Sequence, residues 1–180
     1  MGSARRTELL ESAYRYALAH GLADLSLRPL AAAIGSSPRV LLYLFGSKDG
    51  LIRELLDRAR SDEVALLGTA PAGDLAATTR LIWGWLSDPA HRALLTLWTE
   101  AYARSLIEPD GPWSAFARET VGDWLSLLAA TQPASTRDTP EAVAERTATL
   151  ALLRGALLDL LATGDQNRTT TAVLGRAGDS

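Results

Sequence analysis

The stretch Ser36–Gly50, SSPRVLLYLFGSKDG, carries the signals that decide the fold of the N-terminal region. Ser37 is a residue type that caps helix starts, and Pro38 is tolerated in the first turn of a helix. Gly46 is typical of a position just past a helix end. The stretch therefore predicts a short helix over residues 38–45.

This predicted helix has one polar and one apolar side. On a wheel of about 100° per residue, Tyr43 lies about 40° from Arg39, and Leu42 lies about 60° away on the other flank. The apolar residues Val40, Leu41, Leu44 and Phe45 fill the opposite arc. We expect that arc to pack on neighbouring helices, and Arg39 and Tyr43 to face away from them.

Helical patterns precede and follow this segment. A first helix over about 5–20 ends at Gly21, and Ser26 is placed to cap a short helix over about 27–34. A longer helix is predicted over about 48–67. Two short helices joined by Gly35-Ser36-Ser37, with a helix before them to pack on, describe a helix-turn-helix.

The residue types on the outer side suit DNA. Arginine offers a planar fork that matches the O6 and N7 acceptors of guanine, and Leu42 is placed to touch a thymine methyl. Lys48, at the start of a helix, is suited to a phosphate. The predicted DNA-binding residues are Ser26, Arg28, Ser36, Ser37, Arg39, Leu42, Tyr43 and Lys48. The alternative is a plain three-helix packing unit whose Arg and Tyr are merely solvated.

The rest of the chain predicts an all-α protein. The break GTAPAG, residues 68–73, is the expected domain boundary, and four longer helices follow over about 74–87, 90–107, 112–131 and 140–163. The polar tail is expected to hold only a weak turn or a short helix near Ala172. The predicted domains are a helix-turn-helix domain over 1–47, a connecting helix over 48–67, and a helical ligand-binding and dimerisation domain over 68–180.

Composition and charge limit the function classes. Of 180 residues, 47% are hydrophobic and 22% charged, as in an ordinary globular protein, and no cysteine is present for a disulfide or a thiolate site. No signal peptide or membrane span is visible, so we expect a cytoplasmic location. Residues 1–60 hold nine Arg or Lys against six Asp or Glu, net +3, whereas residues 61–180 are net −6. A basic region on an acidic body is consistent with a polyanionic partner at one end.

Residues 5–60 resemble the DNA-binding domain of the TetR family of transcriptional regulators. The resemblance covers ELLESAYRYALAHGL, LSLRPLAAAIG and SSPRVLLYLFGSKDGLIREL, and the phrase Tyr-x-Phe-x-Ser-Lys-Asp is its most specific part. The family often has His where Leu44 stands here. Because the wheel turns Leu44 inward, we expect a lost phosphate or packing contact rather than a lost function.

The resemblance implies a body that dimerises and often binds a small effector, which tilts the fourth helix and changes the spacing of the paired recognition helices. All five tryptophans lie in the C-terminal part, and a carboxylate near aromatics suits a cationic ligand. The candidate effector-binding residues are Trp83, Trp98, Glu100, Tyr102 and Trp124. The alternative is that these tryptophans fill the core of a helical bundle.

The last two long helices are the candidates for a dimer seam. Along the second of these helices lies an apolar stripe that is wider than one core face needs. Gly155 and Ala156 would allow helices to approach closely there. The stripe consists of Val143, Leu150, Leu153, Leu157, Leu160 and Leu161. Its alternative is burial within one subunit. Two-fold pairing would set two recognition helices about 34–36 Å apart on a palindromic site.

Catalysis and metal binding are poorly supported. His20 is expected to interact with the end of the first helix, and His91 to be a surface residue. Helical spacing does not gather Asp88, His91, Glu100 and Glu108 into a metal site, and no catalytic motif occurs. The sequence thus predicts a homodimeric repressor with no cofactor, which binds an operator in double-stranded DNA and is released by a small effector. The alternative is a helical interaction module on the same scaffold without specific DNA binding.

Overall fold

The structure, a computed structural model, describes residues 2–22, 24–67, 74–108 and 110–178, with side chains described within 4–22, 24–61, 74–108 and 110–175. Throughout these ranges the regular elements are helices. They are α1 Gly2–His20, α2 Leu27–Ala33, α3 Pro38–Phe45, α4 Lys48–Leu67, α5 Leu75–Leu86, α6 Arg92–Ile107, α7 Phe116–Thr131, α8 Pro140–Thr163 and α9 Gln166–Gly178, with a short 3-10 turn at Pro89–His91 before α6. The predicted all-α fold class is confirmed.

The chain divides into two compact units. The first unit comprises residues 1–62 and 93–118, and the second comprises residues 63–92 and 119–180. The predicted boundary at 68–73 lies outside the described residues, and the predicted domain limits stay a prediction.

The first unit is built around one apolar core. α1, α2, α3 and the first part of α4 contribute buried leucines, alanines and aromatics, and α6 adds Leu97, Trp98 and Ala101. Trp113 and Phe116 close the same cluster. Each buried aliphatic or aromatic side chain contributes on the order of 1.5–3 kcal/mol through the hydrophobic effect, so this core holds the short helices α2 and α3 in place.

The second unit packs α5, α8 and α9 against one another. Asp74 caps α5 by accepting a hydrogen bond from the Ala77 N–H at 2.8 Å, and Thr139 caps α8 in the same way at 3.3 Å from the Ala142 nitrogen. Its buried residues include Ile82, Trp83, Trp124, Leu128, Leu150, Leu153, Leu157, Leu160 and Val173.

Three sequence predictions about the elements need correction. The tail forms the thirteen-residue helix α9, which is longer than the weak turn or short helix expected near Ala172. α7 begins at Phe116 rather than at 112, because residues 110–115 form turns. α6 begins at Arg92, since the capped turn Pro89–His91 comes before it.

The predicted dimer stripe is also corrected. Leu150, Leu153, Leu157 and Leu160 are buried within their own chain, where α9 and α5 pack on α8. Burial within one subunit, the alternative reading, therefore accounts for these four leucines.

Candidate nucleic-acid interface

Helix α3 presents the arrangement that the wheel predicts. The Val40 N–H donates to the Ser37 hydroxyl at 3.3 Å, which caps the helix, and Gly46 ends it with a φ of +76°, a conformation that favours glycine. Leu41 and Phe45 are buried, and Leu44 is half-buried. The inner side of α3 is thus fixed by packing, which leaves its other side outward.

The outer side of α3 carries Arg39 and Tyr43. The Tyr43 side chain is 86% exposed, Leu42 is 42% exposed, and Arg39 is exposed as well. Val40, predicted to face inward, is 38% exposed because it lies at the edge of the apolar arc. Within the described ranges, no hydrogen bond or ion pair occupies the Arg39 guanidinium or the Tyr43 hydroxyl.

The residues around α3 differ in what their side chains can reach. Arg28 and Lys48 are exposed at the first turns of α2 and α4. Ser26 occupies the N-cap position of α2 but its side chain makes no capping hydrogen bond, contrary to the prediction. The Ser36 hydroxyl oxygen is buried and has no hydrogen-bond partner among the described atoms, so its oxygen is covered by the protein itself.

The junction of α3 and α4 depends on a glycine that no sequence pattern indicates. A Cβ at Gly50 would lie 2.2 Å from the carbonyl oxygen of Phe45, which is too close for any other residue without a shift. The Gly50 N–H donates to the Ser47 hydroxyl at 2.9 Å. This close approach sets where α4 starts relative to the end of α3.

A second residue that the sequence did not reveal is Arg6 of α1. Its Nε donates to the Leu44 carbonyl oxygen at 3.3 Å, and its guanidinium forms an ion pair with Glu54 of α4. These partners lie 38 and 48 positions away, so only the fold brings them together.

The candidate effector residues are divided between the two units. In the first unit, Trp98 and Tyr102 stack with ring centroids 5.0 Å apart, and Trp98 and Phe116 meet edge to face with centroids 6.5 Å apart. In the second unit, Trp124 is buried, and Trp83 is buried with its Nε1–H donating to the Thr170 hydroxyl at 3.0 Å. Trp83, Trp98 and Trp124 are therefore core residues of their units, and their role in effector binding stays a prediction.

Glu100 does not lie on the aromatic face of α6. At about 100° per residue it is about 160° from both Trp98 and Tyr102, on the other side of the helix. There its Oε2 accepts a hydrogen bond from the Leu22 N–H at 3.0 Å. The expectation that this carboxylate sits beside the aromatic pair is therefore corrected.

The two histidines have structural contacts. His20 stacks on Tyr16 with centroids 4.0 Å apart, and its Nδ1 lies 2.9 Å from the Tyr16 carbonyl oxygen, in the last turn of α1 as expected. His91 is half-buried rather than at the surface, because it stacks on Trp85.

Neither a metal-binding cluster nor a membrane span occurs in the described part of the chain. Across the described residues, no three His, Cys, Asp or Glu side chains are grouped so as to hold a metal ion. No helix in those same ranges has the length and apolar character needed to cross a bilayer.

Comparison with protein families matches residues 9–55 to the family described as bacterial regulatory proteins, tetR family. These residues run from α1 into α4 and include all of α2 and α3. Among curated proteins, the HTH-type transcriptional regulator Rv1816 of Mycobacterium tuberculosis is 34% identical over 100 residues, which cover 49% of this chain and 42% of that protein. The chain thus matches less than half the length of this relative.

Solved structures extend the likeness to nearly the whole chain. The multidrug binding protein EbrR, crystallised with proflavin, is 25% identical with a TM-score of 0.72, covering 96% of this chain and 99% of that one. A transcriptional regulator from Rhodococcus sp. Rha1 has a TM-score of 0.79 at 21% identity, covering 96% and 94%. At that identity the likeness to the Rhodococcus protein concerns the fold. The relatives named here are regulators or binding proteins rather than enzymes.

Proposed function

Because the chain belongs, by its N-terminal domain, to the tetR family of bacterial regulatory proteins, we propose that it is a repressor that binds a palindromic operator as a homodimer and leaves it when a small effector binds. The observation that carries the proposal is α3, whose apolar side is buried while Arg39 and Tyr43 point outward without partners among the described residues. A surface arginine and tyrosine on a capped, rigid helix are suited to the major groove.

The proposed contacts fall into two classes. Arg39, Tyr43 and Leu42 are assigned to base edges or their methyl groups, where a good bidentate contact is worth about 1–3 kcal/mol of discrimination. Arg28, Lys48 and Ser26 are assigned to phosphates, which position the protein without reading sequence. Ser37 acts by capping α3, and the buried hydroxyl of Ser36 makes it a support for the turn rather than a contact.

Dimerisation is proposed through the outer face of α8, opposite to the buried leucines. Leu158 is 51% exposed, and a Cβ at Gly155 would meet nothing within 4 Å. Spacings of three and four residues align the exposed positions Ala144, Ala148, Ala151, Gly155, Leu158 and Ala162 on one face. Because this face is uncharged and mostly of small residues, the same helix of a second copy can approach it closely.

The effector is proposed to be a planar, apolar or aromatic small molecule that binds in the helical body. The likeness to EbrR, whose structure contains proflavin, supports this class. Tyr102, half-buried and stacked on Trp98, is the aromatic we expect it to reach. Proflavin is the probe: it should quench tryptophan fluorescence and reduce DNA binding, and Tyr102→Ala should weaken both effects.

Selection of bound duplexes from a random pool tests the function directly. We expect a palindrome with half-sites about one helical turn apart and an affinity that falls steeply with salt. Arg39→Ala should lose discrimination at one base pair, whereas Lys48→Ala should weaken all duplexes alike. Arg118→Ala, which removes an exposed arginine of α7, is the matched control. Recovery of no preferred sequence would favour the interaction-module alternative.

A further inference from the structure

The guanidinium of Arg6 connects three helices of the first unit. Its Nε–H donates to the Leu44 carbonyl oxygen of α3 at 3.3 Å, and it forms an ion pair with Glu54 of α4. Its Cζ also lies 5.2 Å from the centre of the Phe45 ring. One side chain of α1 therefore holds both the C-terminal end of α3 and the facing side of α4.

The contact on α3 adds a hydrogen bond at that helix end. The last carbonyls of a helix have no partner within the helix and carry its partial negative charge. Here the Leu42 carbonyl accepts from the Gly46 N–H at 2.9 Å, and the Phe45 carbonyl accepts from the Ser47 N–H at 2.9 Å. Arg6 supplies a charged donor to the Leu44 carbonyl between them.

The chemistry of arginine fits this position better than that of lysine. A planar fork can donate to a carbonyl and a carboxylate at the same time while its face lies on an aromatic ring. Two of the contacts are made to the last turn of α3 and the third to α4, so together they restrict the movement of α3 relative to both helices.

We propose that Arg6 and Glu54 are positioning residues for DNA recognition: together they hold α3 at the angle at which Arg39 and Tyr43 reach base edges. The inference rests on the proposed DNA binding and deepens it. Glu54 gives it a distinctive consequence. A carboxylate in a domain that approaches a polyanion normally weakens binding, so its removal should strengthen binding unless it acts through Arg6.

The test measures binding of purified full-length variants to two duplexes, the preferred one from the random-pool selection and a scrambled version. Glu54→Gln and Arg6→Lys should each weaken binding to the preferred duplex about tenfold and leave the scrambled duplex nearly unchanged. The double variant should be no weaker than Arg6→Lys alone, because the two residues act as one unit.

A second ion pair between the same two helices supplies the matched control. Arg58 of α4 pairs with Glu11 of α1 at 2.6 Å and lies 5.1 Å from the Tyr14 ring centre, so both of these partners are in α1. Glu11→Gln removes a carboxylate in the way that Glu54→Gln does. It should leave the ratio of preferred to scrambled affinity at the wild-type value.

Two further measurements separate positioning from other roles. A phosphate contact by Arg6 would reduce the salt slope by about 0.9 in Arg6→Ala, whereas positioning leaves the slope unchanged. In the DNA-free protein, Arg6→Ala should speed hydrogen exchange at the amides of α3 and the Gly46 turn more than elsewhere in the first unit.

The outcomes are distinct. If Glu54→Gln binds the preferred duplex as well as wild type or better, and α3 amides exchange at the wild-type rate in Arg6→Ala, the positioning role is wrong while the proposed function stands. If wild type itself selects no duplex, the proposed function fails, and with it the inference.

Discussion

The carboxylate of Glu100, in α6, accepts a hydrogen bond from the backbone N–H of Leu22, in the turn after α1, with 3.0 Å between the two atoms. The same turn contains Gly21 at a φ of +79°, where a Cβ would lie 3.1 Å from Glu100 Oε2. The second oxygen, Oε1, is buried and unpartnered among the described atoms. A single side chain thus joins α6 to the entrance of the helix-turn-helix.

Removing this carboxylate should destabilise the first unit. Glu100→Ala leaves the Leu22 N–H without its acceptor, so we expect the free energy of unfolding to fall by about 1–3 kcal/mol, measured by chemical denaturation. Glu100→Gln keeps an acceptor oxygen and should cost less. Glu8→Ala, which breaks an exposed pair with Arg5, is the control and should cost less than about 0.5 kcal/mol. Equal stability of Glu100→Ala and wild type would contradict the assigned role.

A methyl group at Gly50 should disturb the end of α3. Because its Cβ would sit 2.2 Å from the Phe45 carbonyl oxygen, the backbone must shift, and we expect Gly50→Ala to lose about 1–3 kcal/mol of stability together with sequence-specific DNA binding.

Gly122 of α7 gives the comparison for that substitution. It is exposed, and its Cβ would meet nothing within 4 Å, so Gly122→Ala should raise stability by about 0.5–1 kcal/mol. Thermal unfolding of both variants checks the difference in sign, and destabilisation of the two to the same extent would contradict the steric argument.

The second unit should lose stability in acid through one carboxylate. Arg168 of α9 forms two hydrogen bonds to Asp159 of α8, at 2.5 and 2.8 Å, and these, with its charge, lower the pKa of Asp159 below its usual 3.8. A folded-state pKa below the unfolded value contributes stability that is fully present above about pH 4 and is lost as the pH falls through the lowered pKa. The melting temperature should therefore decrease as the pH is lowered below about 4.

Asp159→Asn should reduce this decrease of the melting temperature in acid, and it should lower stability at neutral pH. Asp165→Asn is the control. Asp165 contacts the Arg168 Nε at 3.3 Å and accepts a hydrogen bond from the Arg168 backbone N–H at 3.0 Å, a cap that asparagine can also provide, so the change leaves the Asp159 pair intact. An equal decrease of the melting temperature in acid for Asp159→Asn and wild type would show that this pair does not cause it.

A charge on the outer face of α8 should separate the proposed dimer. Leu158→Arg places a guanidinium on a face that we assign to the partner subunit, so sedimentation should show a monomer, and DNA binding should weaken accordingly. Leu106→Arg makes the same change at an exposed leucine of α6 and should leave the oligomeric state unchanged. A dimer in the Leu158→Arg variant would place the seam elsewhere.

The parts of this fold that depend on local signals could be predicted from the sequence. The limits of α3 follow from a serine cap, a proline and a glycine within ten residues, and the structure reproduces the predicted helix. The extent of α9 was underestimated because its first turns are rich in Asn and Thr, which are weak helix formers. Buried Thr169 and Val173 stabilise it by packing in the second unit, a contribution that local propensity does not contain.

The functional site likewise combines features that local sequence predicts with features that only the tertiary structure reveals. The outward direction of Arg39 and Tyr43 follows from helical periodicity, whereas the roles of Arg6 and Glu100 depend on partners 38, 48 and 78 positions away. No spacing rule relates residues across such distances. Gly50 could have been singled out only by knowing how closely α4 passes the end of α3.

The position of α9 has a consequence for biosynthesis. The buried threonine and valine of α9 belong to the same core as the buried leucines of α8. Those leucines therefore remain partly exposed to solvent until α9 has been synthesised. The first unit can close once α6 and Phe116 have emerged, well before that point. Chains truncated near Gly164 would therefore have a folded N-terminal core and an exposed row of leucines on α8. Such exposed apolar surface makes a chain prone to aggregation and a substrate for chaperones and proteases.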